Sequence, residues 1–455
     1  MPAKRIGRRV LALAIAAGLA GIGAGIGAAT GAEVEAAPKV VVTGPAGYLA
    51  AVARLRAGQE LRLAPGIYTQ GLWLEDLHGT PGRPIVISGP ADRSAVFLGR
   101  PLANTVELRK VSHLELRNLT LDGRNLPGTD GIKAQDVTHD ITLENLEVVN
   151  HALHQQIVAI STKAPAWNWV IRGNVIRNAG TGLYLGESDG SAPFIHGLIE
   201  GNLITGTIGY GLQIKHQRPR PDLPGLPPAP GATVIRDNII SKARQPMSGF
   251  QGPRPNLLVG HLPLEGPGAE DVYEIYGNLL YENLVDEPLF QGEGNIAFHD
   301  NLLVNRHGDA VHIRPHNDKP RDVSVFHNTI VAKGTGIRLA GGYADFRQLV
   351  ARNAVFAERP VTGGEQRENL VNSYAAAQTF LKAPFADWPA LDLRPRPGAE
   401  RRSKLPPDTF ANIANSERDF AGNPRKRDQQ ENTFPGAYAG PEVAKQGLLR
   451  FPPTL

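Results

Sequence analysis

The residues able to do chemistry in this 455-residue chain recur at the ends of short alternating segments. Gly211-Leu212-Gln213-Ile214-Lys215 runs into His216, and Leu257-Leu258-Val259-Gly260 runs into His261. Leu289-Phe290-Gln291-Gly292 ends in Glu293, and Val311-His312-Ile313 ends in Arg314-Pro315-His316-Asn317. Gly336-Ile337-Arg338-Leu339 repeats the pattern. Side chains alternate across a strand, so Leu212, Ile214, Val311, Ile313, Ile337 and Leu339 point inward. Gln213, Lys215, His312, Arg314 and Arg338 then point outward. If these strands stack at about 4.8 Å, then Lys215, His261, Gln291 or Glu293, and Arg314 share one wall roughly 14 Å long.

A wall of cations and imidazoles suits an acidic polysaccharide. Taking the C5 proton from a uronate needs a cation on the carboxylate, a base, and an acid for the leaving oxygen. Arg314 is the expected neutraliser, because its planar fork matches a carboxylate. Lys215 is an expected base if burial and neighbouring cations lower its pKa. His216, His261 and His316 titrate near neutrality and are the alternative bases or acids. Gln213, Gln291, Glu293, His312, Asn317 and Arg338 are expected to bind substrate. No cofactor or metal is assigned. Calcium takes six to eight oxygen ligands, and only Asp286, Glu287 and Glu293 suggest such a set. Tyr273, Tyr276 and Tyr281 either stack on sugar or pack beneath an insertion.

The elements that must position these residues follow from composition and repeats. Gly (51) and Pro (37) make up about a fifth of the chain, which excludes long helical bundles. The absence of Cys excludes disulfide scaffolds and thiolate chemistry. Of 48 basic residues, Lys4, Arg5, Arg8 and Arg9 lie in the acid-free first 32; the remaining 44 balance 44 acids. Bulk charge therefore gives no case for nucleic acid. The basic start and the apolar run from Val10 to Thr30 read as a secretory signal peptide over 1–32, so a periplasmic or secreted monomer is expected, with no membrane association after cleavage.

An Asn followed by apolar pairs appears at Asn118, Asn145, Asn174, Asn202, Asn238, Asn278, Asn301, Asn328 and Asn353. The spacings are 27, 29, 28, 36, 40, 23, 27 and 25 residues. Such periods mean a solenoid. Its units are period-two strands with no room for a helix, which leaves stacked coils of parallel strands. Inward Asn side chains at one corner would form an amide ladder, and Asn tolerates the left-handed backbone of a tight corner. The two long spacings hold insertions at Arg218–Gly231 and Arg244–Gly268, and insertions project from one face of a solenoid.

Over about residues 50 to 440 the chain resembles right-handed parallel β-helix proteins of the pectate-lyase-like superfamily, with its start in the runs from Leu55 to Ile87 and its end in Asp419 to Arg425 and Pro435 to Tyr438. The run Leu63-Ala64-Pro65-Gly66-Ile67-Tyr68 and the segment Gly79 to Ile87 are similar to the start of polysaccharide lyases related to chondroitinase B and alginate lyase. Arg314-Pro315-His316-Asn317 resembles the Asp-Pro-His-Asp motif of mannuronan C5-epimerases, with Arg314 and Asn317 at both acidic positions. The resemblance implies an all-β, right-handed parallel β-helix. Its expected parts are an N-terminal cap with a short helix near 46–56 and a first coil over 33–105, repeats over 106–365, and an irregular C-terminal capping segment over 366–455. It also implies a lyase or C5-epimerase acting on a uronate polysaccharide. The competing expectation is a non-catalytic glycan-binding or envelope-scaffolding β-helix, because fold does not fix function.

Overall fold

Short segments with alternating Ile, Val and Leu cannot bury their apolar side alone. They do so here by stacking on the next turn of the chain. The computed structural model describes residues 39–244, 252–406, 408–425 and 432–441. The expected signal peptide lies outside them.

Each coil contributes three short strands, and the strands pair in parallel with their counterparts one coil away. One face carries an inward row Leu183, Leu212, Leu257, Phe290, Val311 and Ile337. A second face carries Leu143, Ile171, Ile199, Ile235, Ile275 and Phe298. A third carries Val148, Ile176, Ile204, Ile240, Leu280 and Leu303. These rows form one continuous core along the solenoid axis. The architecture is the expected parallel β-helix.

The Asn ladder sits at the corner between the second and third faces. Asn174 Nδ2 donates to Asn202 Oδ1 (3.0 Å), and the relay continues through Asn238, Asn278, Asn301, Asn328 and Asn353 to Asn369. Each Oδ1 also accepts the backbone N–H of the preceding Asn, as Asn238 does from Asn202 at 3.0 Å. Asn118 and Asn145 differ from the expectation. They stand one residue earlier, at the left-handed corner position (φ 57° and 50°) that Gly173, Gly201 and Asp237 fill in later coils. Leu119 and Leu146 take the inward place in those two coils, both fully buried.

The N-terminal helix is shorter than expected, Tyr48–Val52. Its Tyr48 closes the core end, packing edge-on against Tyr68 at 5.1 Å and donating its hydroxyl to Gly71 O. Stacking has already begun before it. Lys39–Thr43, Gln59–Leu63 and Ile85–Ser88 are three successive strands of the second face. The C-terminal segment opens with a 3-10 turn at Tyr374–Ala376 and a helix at Ala377–Phe380. It then lies along the second and third faces, where Phe410 stacks on Phe326 at 3.9 Å and Arg425 pairs with Asp300. The first face keeps no such cover from the described tail residues in these packed clusters.

Candidate functional site

The first face positions the site. Outside its inward row, Tyr184, Gln213, Leu258, Gln291, His312 and Arg338 follow one another from coil to coil. Below Tyr184 the same row continues through Ser161 to Lys133. Just past the strand ends, Lys215 N bonds Leu185 O, Gly260 N bonds Ile214 O, Glu293 N bonds Val259 O and Arg314 N bonds Gly292 O. Lys215, Gly260, Glu293 and Arg314 are therefore the second outward row. Three coil steps of about 4.8 Å separate Lys215 from Arg314.

His261 does not stand in that row. Gly260 does, and His261 lies one residue on, stacked on His216 with centroids 5.4 Å apart and planes within 9°. A glycine is required there, because a Cβ on residue 260 would fall 2.2 Å from His216 N. Burial pushes the pKa of both imidazoles down, with Lys215 acting further on His216 and His216 on His261. Gln291 falls in the other row, beside His312 and Arg338.

The Glu293 carboxylate is buried and accepts the backbone N–H groups of Asn317 (2.9 Å) and Asp318 (2.9 Å), so it pins the turn after Arg314. That turn leaves Arg314, His316 and Asn317 exposed at the rim. Glu287 and Glu293 stand at opposite ends of the strand Phe290–Gly292, which separates the carboxylates of the sketched calcium set. The three tyrosines do not form a sugar platform. Tyr273 lies in the core, Tyr276 stacks on His299, and Tyr281 accepts from Arg306 Nη2 at 2.7 Å under the C-terminal segment.

Lys215 is the centre of the face. It is half-buried, and burial lowers its pKa; Arg254 and Lys163 lower it further, while Glu187 opposes them. Its Nζ stands 5.8 Å from the Tyr184 ring centroid, and Lys163 Nζ stands 4.8 Å from the same ring. Tyr184 is pushed up to about 12 by burial, with Glu187 adding to it, so its hydroxyl keeps its proton at neutral pH. Arg254 lies over the Tyr210 ring at 5.7 Å. Glu287 is raised by burial and faces Arg254, Arg314, Lys242 and His312. Asp309 Oδ2 is 2.8 Å from His312 Nε2, and His312 together with Thr335 holds the Asp309 carboxyl down to about 2. Sequence reasoning passed over Lys163, Arg254 and Tyr210, because their convergence on Lys215 crosses coils and loops.

Described parts of both insertions flank this surface. The strand Leu257–Val259 lies inside the second insertion, with residues 252–256 before it and 260–268 after it. On one side Arg220, from the first insertion, pairs with buried Asp271 just past the second, and Asp271 also accepts Gly231 N–H at 2.9 Å. The backbone N–H of Arg220 donates to Pro267 O at 3.2 Å, which ties the first insertion to the second. The opposite loop brings Arg254 to Tyr210.

The molecule is thus a parallel β-helix whose first face carries two outward rows of polar and charged side chains, from Lys133 to Arg338 and from Lys215 to Arg314. No family model matches the chain, and no curated protein matches it. Among solved structures it is similar to the alginate lyase from Paenibacillus sp. str. FPU-7, at 14% identity over 74% of this chain and 99% of that one, with a TM-score of 0.40. It is also similar to a pectate lyase (12% identity, 77% and 84% covered, TM-score 0.43) and to a rhamnogalacturonan lyase (14%, 71% and 81%, 0.42). The fold assignment rests on the strand register itself.

Proposed function

We propose that this protein is an exported carbohydrate-active enzyme, a lyase or C5-epimerase that takes a proton from a uronate residue held in the first-face groove. One observation carries the reading. Lys215, half-buried and flanked by Arg254 and Lys163, stands beside a protonated tyrosine on a solenoid face flanked by described parts of two insertions. Arg254 and Arg314 are the groups to neutralise substrate carboxylates, since guanidinium forks match them.

In the lyase form, the Lys215 amine takes the C5 proton. The C5–H electrons form the C4=C5 double bond as the C4–O bond breaks. The leaving oxygen takes the Tyr184 hydroxyl proton, which the ammonium of Lys215 then restores. In the epimerase form, the same abstraction leaves Lys215 as the ammonium, a water on the opposite face of the ring gives C5 its new proton, and the ammonium proton neutralises the hydroxide that remains.

The test incubates the full chain with alginate, pectate and glycosaminoglycans and follows ultraviolet absorbance of the unsaturated product and deuterium entry at C5. Absorbance supports a lyase, and deuterium entry without absorbance supports an epimerase. Neither signal on any uronate polymer overturns the catalytic reading. Fractionation of cells expressing the full chain checks export.

A further inference from the structure

A second group of chemically able side chains lies away from the groove, at the corner where the first face turns into the second. The strands Val106–Arg117 and Ile132–Glu144 both run through this corner. Their registers place Ser112 beside His139. His113 and Asp140 flank that pair, each with a left-handed backbone (φ 48° and 54°). His139 Nδ1 is 2.6 Å from Asp140 Oδ2, and His113 Nε2 is 3.8 Å from the same oxygen. One ligand atom from each of the three residues lies within 4.8 Å of the others. All three side chains are half-buried.

We propose that His113, His139 and Asp140 bind one divalent transition-metal ion. Two imidazoles and one carboxylate are the donor set of Zn2+ and its neighbours, not of calcium or magnesium, which take oxygen donors. Ligand atoms on a tetrahedral zinc lie about 3.3 Å apart at its usual bond lengths. The two distances to Asp140 Oδ2, 2.6 and 3.8 Å, straddle that value, and the two imidazole donor atoms lie within 4.8 Å of each other, so closure draws the two rings together around the ion.

The surroundings hold the donors in place. Trp167 stacks on the His139 ring at 4.6 Å with planes 1° apart. Asn168 Nδ2 donates to Asp140 Oδ1 at 3.1 Å, which leaves Oδ2 for the metal. Such contacts to metal ligands fix ring and carboxylate orientation. The three protein donors leave the fourth position to water. Lys133, on the same strand as His139, lies two coil steps from Tyr184 along the outward row, and His139 and Asp140 lie past it at the corner, just before the second-face residues Thr142–Glu144. The site is therefore separate from the groove. It ties two successive coils together, so its expected effect is on stability.

The experiment titrates chelator-treated full-length protein with Zn2+ by calorimetry and with Co2+ by visible absorption. One equivalent bound, with the d–d bands of a four-coordinate cobalt site, supports the proposal. Asn168→Ala is expected to weaken binding about 10-fold. His113→Ala, with a melting temperature equal to that of the metal-free parent, should abolish both the bands and the Zn2+-induced rise in melting temperature. Absence of stoichiometric binding overturns the proposal. So does binding that survives both His113→Ala and Asp140→Asn, because the ion then sits on other histidines.

Discussion

At the scale of single residues, the proposed chemistry turns on the protonation state of Lys215. An ammonium cannot accept a proton, so the free amine must be present at working pH. Burial, Arg254 and Lys163 all disfavour the charged form, and Glu187 alone opposes them. The expected kcat/KM rises with pH through an apparent pKa below that of an ordinary lysine. Lys215→Arg keeps the charge but not the base, because a guanidinium stays protonated. A loss of about 100- to 10,000-fold is expected for that variant, the usual contribution of a positioned general base. Steady-state kinetics across pH on the most active polymer checks both statements. Undiminished turnover by Lys215→Arg would move the base to His216 or His261, whose stacked rings are held neutral by burial.

At the scale of elements, strand alternation was legible because period two and the inward Leu and Ile positions leave one consistent phase. The aligned strands predicted on the first face pair as expected, from Leu212 through Leu257, Phe290 and Val311 to Ile337. Two details were not legible. Asn-Leu-Thr at Asn118 and Asn-Val-Ile at Asn174 look alike, yet the first Asn takes the left-handed corner and the second the inward rung. Both environments accept Asn, so the letter does not choose between them. The position of His261 was hidden because Gly260 fills the row for a steric reason that appears only when Lys215 and His216 pack against it.

The corner row also carries a stability switch. Asp237 takes the left-handed position (φ 56°) beside Arg236 and Glu200. Burial raises its carboxyl to about 6, with Arg236 pulling the other way and Glu200 adding to the rise. A folded-state pKa above the unfolded value means the protonated form is favoured on folding. That contribution is fully present below about pH 4 and is lost as pH rises through about 6. Asp237→Asn keeps the left-handed preference and removes the charge. It is expected to stabilise the protein by about 2 kcal/mol at pH 8 and to change little at pH 4. Urea melts at the two pH values check this; equal effects at both would refute it.

At the scale of the whole molecule, the sequence did not reveal which faces the C-terminal segment covers, because its Pro- and Arg-rich residues carry no period. The structure lays it on the second and third faces, opposite the groove. Arg425 anchors it. Its guanidinium pairs with Asp300, donates to Gly436 O (2.8 Å) and Ala437 O (2.9 Å), and is almost wholly buried. Asp300 in turn stands 2.8 Å from the Nδ1 of buried His299. Removing one partner of a buried ion pair leaves an uncompensated charge, which costs about 3–5 kcal/mol. Arg425→Met should therefore destabilise the fold by that order and expose the segment to protease. Arg425→Met with Asp300→Asn should recover much of the loss, because neither charge is then stranded and Asn keeps the left-handed backbone of residue 300 (φ 51°). Neither variant touches Lys215, Tyr184 or the two insertions, so kcat/KM below the melting transition should be unchanged. Thermal melts, limited proteolysis and groove kinetics on the same samples separate the two roles. A fall in kcat/KM matching the fall in stability would mean that the covered faces and the groove act as one unit instead of as stacked coils coupled only to their neighbours.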